Sequence, residues 1–196
     1  MLTHKSLLEA YVYAKDKCHP SLIYDIYQAN AVLSISTAAS AVAFPPLVVG
    51  ADGIAQTLVT DFATRFTQCR TYYVCDSLPV IKARIAYLPW LVIMREHATA
   101  SLRIGRGYYH WQLVPHGRQW RVSEMHIRID HMMLVADVGG DLLTTLQAFL
   151  PYPWLPPRVL DAAFRLTADS NPHFSFLHEF TSDQMHWPQP VPTMQT

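Results

Sequence analysis

The sequence predicts an α+β fold in which a strongly curved antiparallel sheet wraps like a cone around N-terminal helices. Two long strand patterns, over residues 102–114 and 120–129, form a hairpin that closes the sheet. Three helical patterns come before it, over residues 7–17, 21–28 and 52–66. Helices that precede a bent sheet are expected to close over its hollow side, because both elements can bury their apolar faces there.

The apolar spacing supports the first and third helices. In the first helix, apolar residues recur at helical intervals, at Leu7, Leu8, Tyr11 and Val12. In the third helix they recur every four positions, at Ile54, Leu58, Phe62 and Phe66. Each pattern places an apolar stripe on one side of the helix, which predicts that both helices pack against the sheet.

Both long strands change phase part-way along, which predicts bends. The last strand has apolar residues at Trp120 and Val122, and then at Met125, Ile127 and Ile129. A one-residue bulge near Ser123-Glu124 would keep all five on one face. Its partner changes from Leu102 and Ile104 to Tyr109, Trp111 and Leu113, with Gly105 and Gly107 at the change. Glycine lets a strand bend sharply, so this pair of strands suits a curved sheet. Shorter strands are expected over 31–36, 71–75 and 90–96.

The chain is expected to divide into a cone-shaped domain, residues 1–136, and a C-terminal appendage, residues 137–196. Gly139-Gly140 marks the break. Helical patterns then cover 141–150 and 157–168, on either side of a proline-rich link. The appendage could cap the cone, pack on a partner subunit or partly fray.

Composition narrows the class of protein. Lys plus Arg and Asp plus Glu number 15 each, so the chain is a poor candidate for binding nucleic acid or an anionic membrane. Cys18, Cys69 and Cys75 lack zinc-site spacing and are expected to be buried free thiols in a reducing compartment. The longest apolar stretch, 38–49, is short and contains Pro45-Pro46, which predicts no membrane span. We expect a cytoplasmic protein without a metal or a cofactor.

Three motifs resemble the nuclear transport factor 2-like superfamily. They are Gly-Arg-Gly-Tyr-Tyr-His-Trp (105–111), Gln-Trp-Arg-Val-Ser (119–123) and the Val49-Gly50 pair before the third helix. The superfamily includes polyketide cyclases, ketosteroid isomerase, scytalone dehydratase and the small subunits of ring-hydroxylating dioxygenases. The resemblance covers about residues 5–135. It implies a cystatin-like half-barrel with a deep apolar cavity and frequent homodimers through the outer face of the sheet.

The sequence lacks the catalytic base that the resemblance would lead us to expect. In isomerase-like and cyclase-like members, the base comes from the first strand or just after it. Residues 29–51 contain no Asp, Glu, His, Lys, Arg, Tyr or Cys. Tyr73 also stands where the dehydratases would have a His. Ketosteroid isomerase and scytalone dehydratase chemistry are therefore both disfavoured.

Four other residues are candidates for acid–base chemistry. Tyr11 could donate a hydrogen bond to a developing oxyanion, although a core ring is the commoner role of such a tyrosine. His126 and Asp130 share a strand face and could form an oriented base. The predicted bulge turns that face outward, because Arg128 between them would be costly to bury unpaired. His110 alternates with the rings beside it, and the strand phase alone does not settle which face it occupies.

Aromatic side chains are the candidate lining of the cavity. Most are expected in the core, and some could contact a flat or apolar ligand. The candidates are Phe62, Tyr73, Trp90, Tyr109, Trp111, Trp120 and Met125. We expect a small-molecule-binding protein whose ligand is small and apolar or aromatic. A lyase, isomerase or cyclase acting on a small cyclic or polyketide-like substrate is one alternative, and a non-catalytic structural subunit is another.

Overall fold

A mixed, largely antiparallel sheet of seven strands forms the centre of the protein. The computed structural model describes residues 3–38, 44–78, 83–137 and 139–184. The strands are β1 (Tyr27–Thr37), β2 (Leu47–Val49), β3 (Phe66–Val74), β4 (Arg84–Glu96), β5 (Leu102–His116), β6 (Gln119–Val135) and β7 (Trp154–Leu155). Their order is β2-β1-β6-β5-β4-β3-β7. The β1–β6 and β3–β7 pairs are parallel, and the other neighbours are antiparallel. The predicted α+β class is confirmed.

The helices lie in two groups, before and after the long strands. The first group contains α1 (His4–Asp16), a 3-10 turn (Pro20–Leu22), α2 (Ile23–Ile26), α3 (Ala51–Ala55), a π turn (Gln56–Thr60) and α4 (Asp61–Arg65). The second contains α5 (Asp141–Phe149), α6 (Pro157–Ser170) and 3-10 helices at Pro172–Phe180 and Ser182–Gln184. The second predicted helix, 21–28, is divided between the 3-10 turn and α2, and it ends at Ile26 because Tyr27 already begins β1. Residues 185–196 of the predicted appendage lie outside the described residues.

The two groups of helices cover opposite faces of the sheet. The first group packs on the inner face, where Tyr73, Trp111 and Met125 join the core. The second group packs on the outer face of β3, β4 and the start of β5, against Tyr72 and Leu91. The predicted appendage therefore lies on the outside of the cone. None of the helices in the described part of the chain is long and apolar enough to cross a membrane.

The predicted kinks are present in both long strands. Gln112 pairs with Glu124 and the next residue, Leu113, pairs with Val122, so Ser123 is the extra residue of a bulge. A second register shift separates the Arg106 and Gly107 pairs. Apolar residues on both sides of the bulge share the inner core, namely Val122, Met125, Ile127 and Ile129. The bulge therefore keeps these apolar residues on one face of the sheet, as the sequence pattern predicts.

The π turn explains the four-residue spacing of the third predicted helix. Residues 51–65 form one continuous run of helix with the π turn at its centre. An α-helix advances 3.6 residues per turn, so a strict spacing of four drifts around its axis unless a residue is added. With the π turn, Ile54, Leu58 and Phe62 are all buried in the inner core.

Candidate functional site

A small cavity lies between the first group of helices and the inner face of the sheet. Its volume is about 50 Å³. A pocket for a drug-sized ligand has roughly 300–1,000 Å³, so side chains fill most of the interior, and the described residues do not form the deep open cavity that we expected. The lining residues are Tyr11, Lys15, Ile35, Phe44, Leu58, Phe62, Thr71, Trp90, Val92, Met94, Tyr109, Ile127, Ile129 and Met132. All are apolar or aromatic except Lys15 and Thr71, and Lys15 is the charged one.

Lys15 extends from α1 into the wall of this cavity. It lies four residues after Tyr11, which places both side chains on the buried face of α1. Only 7% of the Lys15 side chain is exposed. Its ammonium nitrogen lies 2.9 Å from Asp16 Oδ1, 3.4 Å from Cys69 Sγ and 4.4 Å from the centre of the Phe62 ring. The cation is thus stabilised by a carboxylate, a sulfur and an aromatic face.

A bulge in β3 brings Cys69 and Thr71 to the same place. The pairing with β4 shifts between Thr67 and Arg70, and Gln68 has a φ of 50°. The extra residue lets Cys69 share the buried face with Phe66 at the strand start. From this face, the Thr71 amide and hydroxyl donate to Asp16 over 2.6 and 2.9 Å, and the Cys69 thiol donates over 3.2 Å.

Asp16 is therefore the centre of a buried polar cluster. Its carboxylate also accepts a hydrogen bond from the Tyr152 hydroxyl over 3.1 Å. Burial is the largest single effect on the Lys15 pKa and acts to lower it, but Asp16, Cys69 and Tyr11 together outweigh burial, and the Lys15 pKa is raised above its ordinary value. Burial, followed by the Asp16 charge, raises the pKa of the Cys69 thiol. At neutral pH, the cluster holds an ammonium ion and a neutral thiol.

Two further donors in the cavity wall lack partners. The Tyr11 hydroxyl and the Trp90 indole N–H are buried and have no hydrogen-bond partner of acceptable geometry among the described residues. Burial dominates and raises the Tyr11 pKa to about 12, although the Lys15 charge and the nearby Tyr109 hydroxyl both act to lower it. A buried donor without a partner is costly, so each marks a position where an acceptor would be favourable.

The structure separates the predicted ligand-contacting residues. Phe62, Trp90 and Tyr109 line the cavity beside Tyr11. Tyr73 and Trp111 are fully buried in the inner core but lie outside the cavity lining. The remaining two make specific contacts elsewhere. The Trp120 ring lies 4.7 Å from that of His4, and the Met125 sulfur accepts a hydrogen bond from the Tyr27 hydroxyl over 2.8 Å.

Three of the four predicted acid–base residues lie on the outer face. His110 and His126 are cross-strand neighbours there. The Ser34 hydroxyl lies 2.7 Å from His126 Nδ1, and the Ser36 hydroxyl lies 2.9 Å from Nε2. Asp130 pairs with Arg128 over 2.9 Å, and both side chains are about one-third exposed. None of the three lines the inner cavity.

The two histidines border a polar groove of about 410 Å³ on the outer face. Arg84 Nε donates to His110 Nε2 over 2.8 Å. Burial, Arg84 and His126 lower the pKa of His110, and burial and Arg128 lower that of His126. Both rings are therefore neutral at neutral pH. In the described parts of the chain, no three His, Cys, Asp or Glu side chains are grouped to hold a metal ion.

Sequence reasoning missed the polar cluster on the inner side. Lys15 carries a signal that we did not use, because a charged residue four positions after Tyr11 falls on the apolar stripe of α1. All three cysteines were expected to be buried, but only Cys69 is; Cys75 is half-buried and Cys18 is exposed. The part played by Thr71 depends on the β3 bulge. No periodicity marks that bulge, because Thr67, Gln68 and Arg70 are polar and partly or fully exposed, and Cys69 alone among them is buried.

Comparisons with known proteins show similarity of structure. No family model matches the chain, and no curated protein matches it. The crystal structure of LinA is similar with a TM-score of 0.56 and 13% identity, over 68% of this chain and 88% of that one. The hexachlorocyclohexane dehydrochlorinase LinA-type3 from Novosphingobium barchaimii LL02 gives 0.54 and 12%, over the same shares.

A further match concerns the superfamily that the sequence resembles. A nuclear transport factor 2-like superfamily protein from Salmonella enterica has a TM-score of 0.47 and 17% identity, over 69% of this chain and 90% of that one. Identities this low describe a likeness of fold. The first group of helices, on the inner face of a curved sheet, and the LinA matches with TM-scores above 0.5 agree with the fold that the sequence resemblance implied. The chain shares the α+β fold of the LinA structures.

Proposed function

We propose that the protein binds a small organic molecule that is mostly apolar and carries one carboxylate or carbonyl group. The ligand would occupy the cavity between α1 and the inner face of the sheet, with its oxygen atoms towards Lys15. The observation that carries the proposal is a buried ammonium ion in a cavity wall made mostly of apolar and aromatic side chains. A cation in such a place is normally satisfied by an acceptor.

The hydrogen-bonding groups of the wall favour an acceptor ligand over a donor. The ammonium group has three N–H bonds, and Asp16 and Cys69 take two of them. Tyr11 and Trp90 add two donors that lack partners among the described residues. A carboxylate or a carbonyl oxygen would accept from these groups, whereas an ammonium ligand would be repelled by Lys15.

The cavity limits the size of the ligand. A buried water needs roughly 10–15 Å³ by this measure, so the available space suits a group of about four heavy atoms. Met94 and Met132 belong to the wall. Methionine side chains are flexible and repack readily, so a somewhat larger ligand could enlarge the space. We therefore expect short-chain acids first, and simple aromatic acids next.

Binding is better supported than catalysis by these side chains. A lyase or an isomerase needs a group that accepts a proton at the cavity. Among the described lining residues, Lys15 is protonated and the tyrosine hydroxyls are neutral. Asp16 already accepts hydrogen bonds from four other residues. The predicted histidines lie on the other side of the sheet.

Thermal unfolding with a matched panel of ligands tests the proposal. Butyrate and benzoate should stabilise the protein, and butyramide should do so less, while butylamine should have no effect. At about ten times the dissociation constant, a ligand adds about 1.4 kcal/mol, which is roughly 3–6 °C in Tm for a chain of this size. Lys15→Met should abolish the effect of the acids, and Tyr11→Phe should weaken it.

The outer-face variant His126→Gln is the control. It should respond to butyrate as the natural chain does, because His126 is not part of the cavity lining. Equal responses to butyrate and butylamine would contradict the proposal. So would an undiminished response in Tyr11→Phe, a variant that keeps the ring and should fold.

We also propose that any homodimer through the sheet uses only part of the outer face. The second group of helices already covers β3, β4 and the start of β5. The half formed by β1, β6 and the end of β5 carries polar, half-buried residues such as His110 and Arg128. Sedimentation of the natural chain and of Arg128→Ala tests this proposal. A dimer that Arg128→Ala leaves intact would count against it.

A further inference from the structure

The proline-rich link between α5 and α6 runs along the edge strand next to the polar cluster. Its strand β7 pairs with the end of β3. The Tyr73 amide donates to the Pro153 carbonyl over 2.7 Å, and the Cys75 amide donates to the Leu155 carbonyl over 3.1 Å. These bonds fix the backbone on both sides of Trp154. The link therefore holds its side chains at a fixed distance from α1.

Tyr152 extends from this link to Asp16. Its hydroxyl donates to Asp16 Oδ2 over 3.1 Å, on the oxygen that also accepts from the Thr71 amide. The other oxygen, Oδ1, accepts from Lys15, Cys69 and the Thr71 hydroxyl. Tyr152 thus supplies a donor to the carboxylate from outside the cone. Among the described residues of the appendage, Tyr152 is the one that forms a hydrogen bond to Asp16.

Neighbouring side chains hold the Tyr152 ring in place. The guanidinium of Arg70 lies 5.8 Å from the ring centre, and the Tyr72 ring meets it edge-on at a centroid distance of 5.8 Å. Arg70 also donates to the Gln147 carbonyl of α5 over 2.6 Å. Burial and the Asp16 charge raise the pKa of the Tyr152 hydroxyl, so it remains a donor. The contact with Asp16 is part of a fixed arrangement.

We propose that Tyr152 is a positioning residue for the Lys15 ammonium group. Its hydrogen bond orients the Asp16 carboxylate, and the carboxylate in turn holds Lys15 at the cavity wall. The appendage would then belong to the binding site although it covers the outside of the sheet. The relevance to ligand binding rests on the function proposed above, but the positioning of Lys15 does not need a ligand to be observed.

Tyr152→Phe tests this inference with little risk to the fold, because the ring remains and only the oxygen is lost. The matched control is Trp154→Phe. It removes a second bond between the link and α1, from Trp154 Nε1 to Glu9 Oε1 at 2.6 Å, and leaves the partners of Asp16 unchanged. Both variants loosen the link, but only Tyr152→Phe alters the cluster.

The measurement is NMR of the Lys15 side chain in the ligand-free protein. In Tyr152→Phe, the ammonium protons should exchange with water about tenfold faster, and the Lys15 signals should shift, since a hydrogen bond to a charged group is lost. Trp154→Phe should leave both unchanged. Unchanged Lys15 signals in Tyr152→Phe would overturn the inference. Equal changes in the two variants would also overturn it, because they would indicate general loosening.

Butyrate binding is measured separately in the same samples. Weakening of butyrate binding by about tenfold in Tyr152→Phe, with no change in Trp154→Phe, would link the positioning to the site. If the natural chain does not bind butyrate while Tyr152→Phe still alters the Lys15 signals, the proposed ligand class fails and the positioning role stands. The two proposals can therefore fail independently.

Discussion

The inner and outer faces of the sheet are built from the same strands and use polar residues differently. On the inner face, charge is concentrated in one cluster around Asp16, which is buried among apolar side chains. On the open half of the outer face, His110, His126 and Arg128 are spread along a half-buried groove. A charge that is withdrawn from water must be fully partnered, whereas a half-exposed one is partly satisfied by solvent. The two faces should therefore respond differently to the same kind of substitution.

Removal of a charge partner should have its largest effect on the inner face. Asp16→Asn leaves the Lys15 ammonium buried without its carboxylate, and breaking a buried pair typically costs about 3–5 kcal/mol. Asp130→Asn, on the outer face, breaks the pair with Arg128. Both side chains of that pair are about one-third exposed. Solvent screening should keep that cost below about 1 kcal/mol. Urea unfolding followed by tryptophan fluorescence measures both, and equal losses would remove the proposed difference between the faces.

Alanine substitutions at two glycines in β5 distinguish a clash with backbone from a clash with a side chain. A Cβ at Gly107 would overlap the Arg128 carbonyl oxygen, whereas one at Gly105 would meet the flexible end of Met132. Overpacking costs about 1–3 kcal/mol, and occasionally more. Gly107→Ala should reach or exceed that range, and Gly105→Ala should stay near its lower end. If Gly105→Ala is the more damaging of the two in urea unfolding, the bent pairing of β5 with β6 is wrong.

Lowering the pH should reduce the stability of the folded protein through the outer-face histidines, by less than the substitutions above. His110 and His126 have pKa values below the ordinary 6.5 in the folded protein. Between the folded and the ordinary pKa values, these two residues are therefore protonated in the unfolded chain and neutral in the folded one. Stability should therefore be highest above the ordinary value and fall as the pH drops through the lowered folded pKa values. His4, whose pKa burial also lowers, contributes in the same direction. His110→Gln should flatten this dependence, and an unchanged slope in that variant would contradict the assignment.

The features that the sequence predicts well are those that follow from a regular spacing of apolar residues. The bulge at Ser123 interrupts an alternation of two and is therefore visible in the pattern of apolar residues. The burial of β4 on both faces also follows from its run of consecutive apolar residues, such as Leu91 on the outer face and Val92 on the inner face. The phase of the last strand further implied that His126 faces outward. These conclusions need only one strand and its pleat.

The candidate site was not predictable in the same way, because it joins three segments that are distant in the sequence. Asp16 comes from α1, Cys69 and Thr71 come from a bulge in β3, and Tyr152 comes from the appendage. None of these residues has a distinctive spacing. Lys15 alone could be suspected, from its place on the apolar stripe of α1. The sequence offered Tyr11 as a candidate donor beside its commoner role as a core ring, and its neighbours emerge only from the fold.

NMR titration of the natural chain with butyrate tests the central claim most directly. The account predicts saturable shifts of the Lys15 side-chain signals and of the Tyr11 ring, while the imidazole signals of His110 and His126 on the outer face stay in place. Shifts of the two histidines with Lys15 unchanged would place the acid in the outer groove and contradict the account.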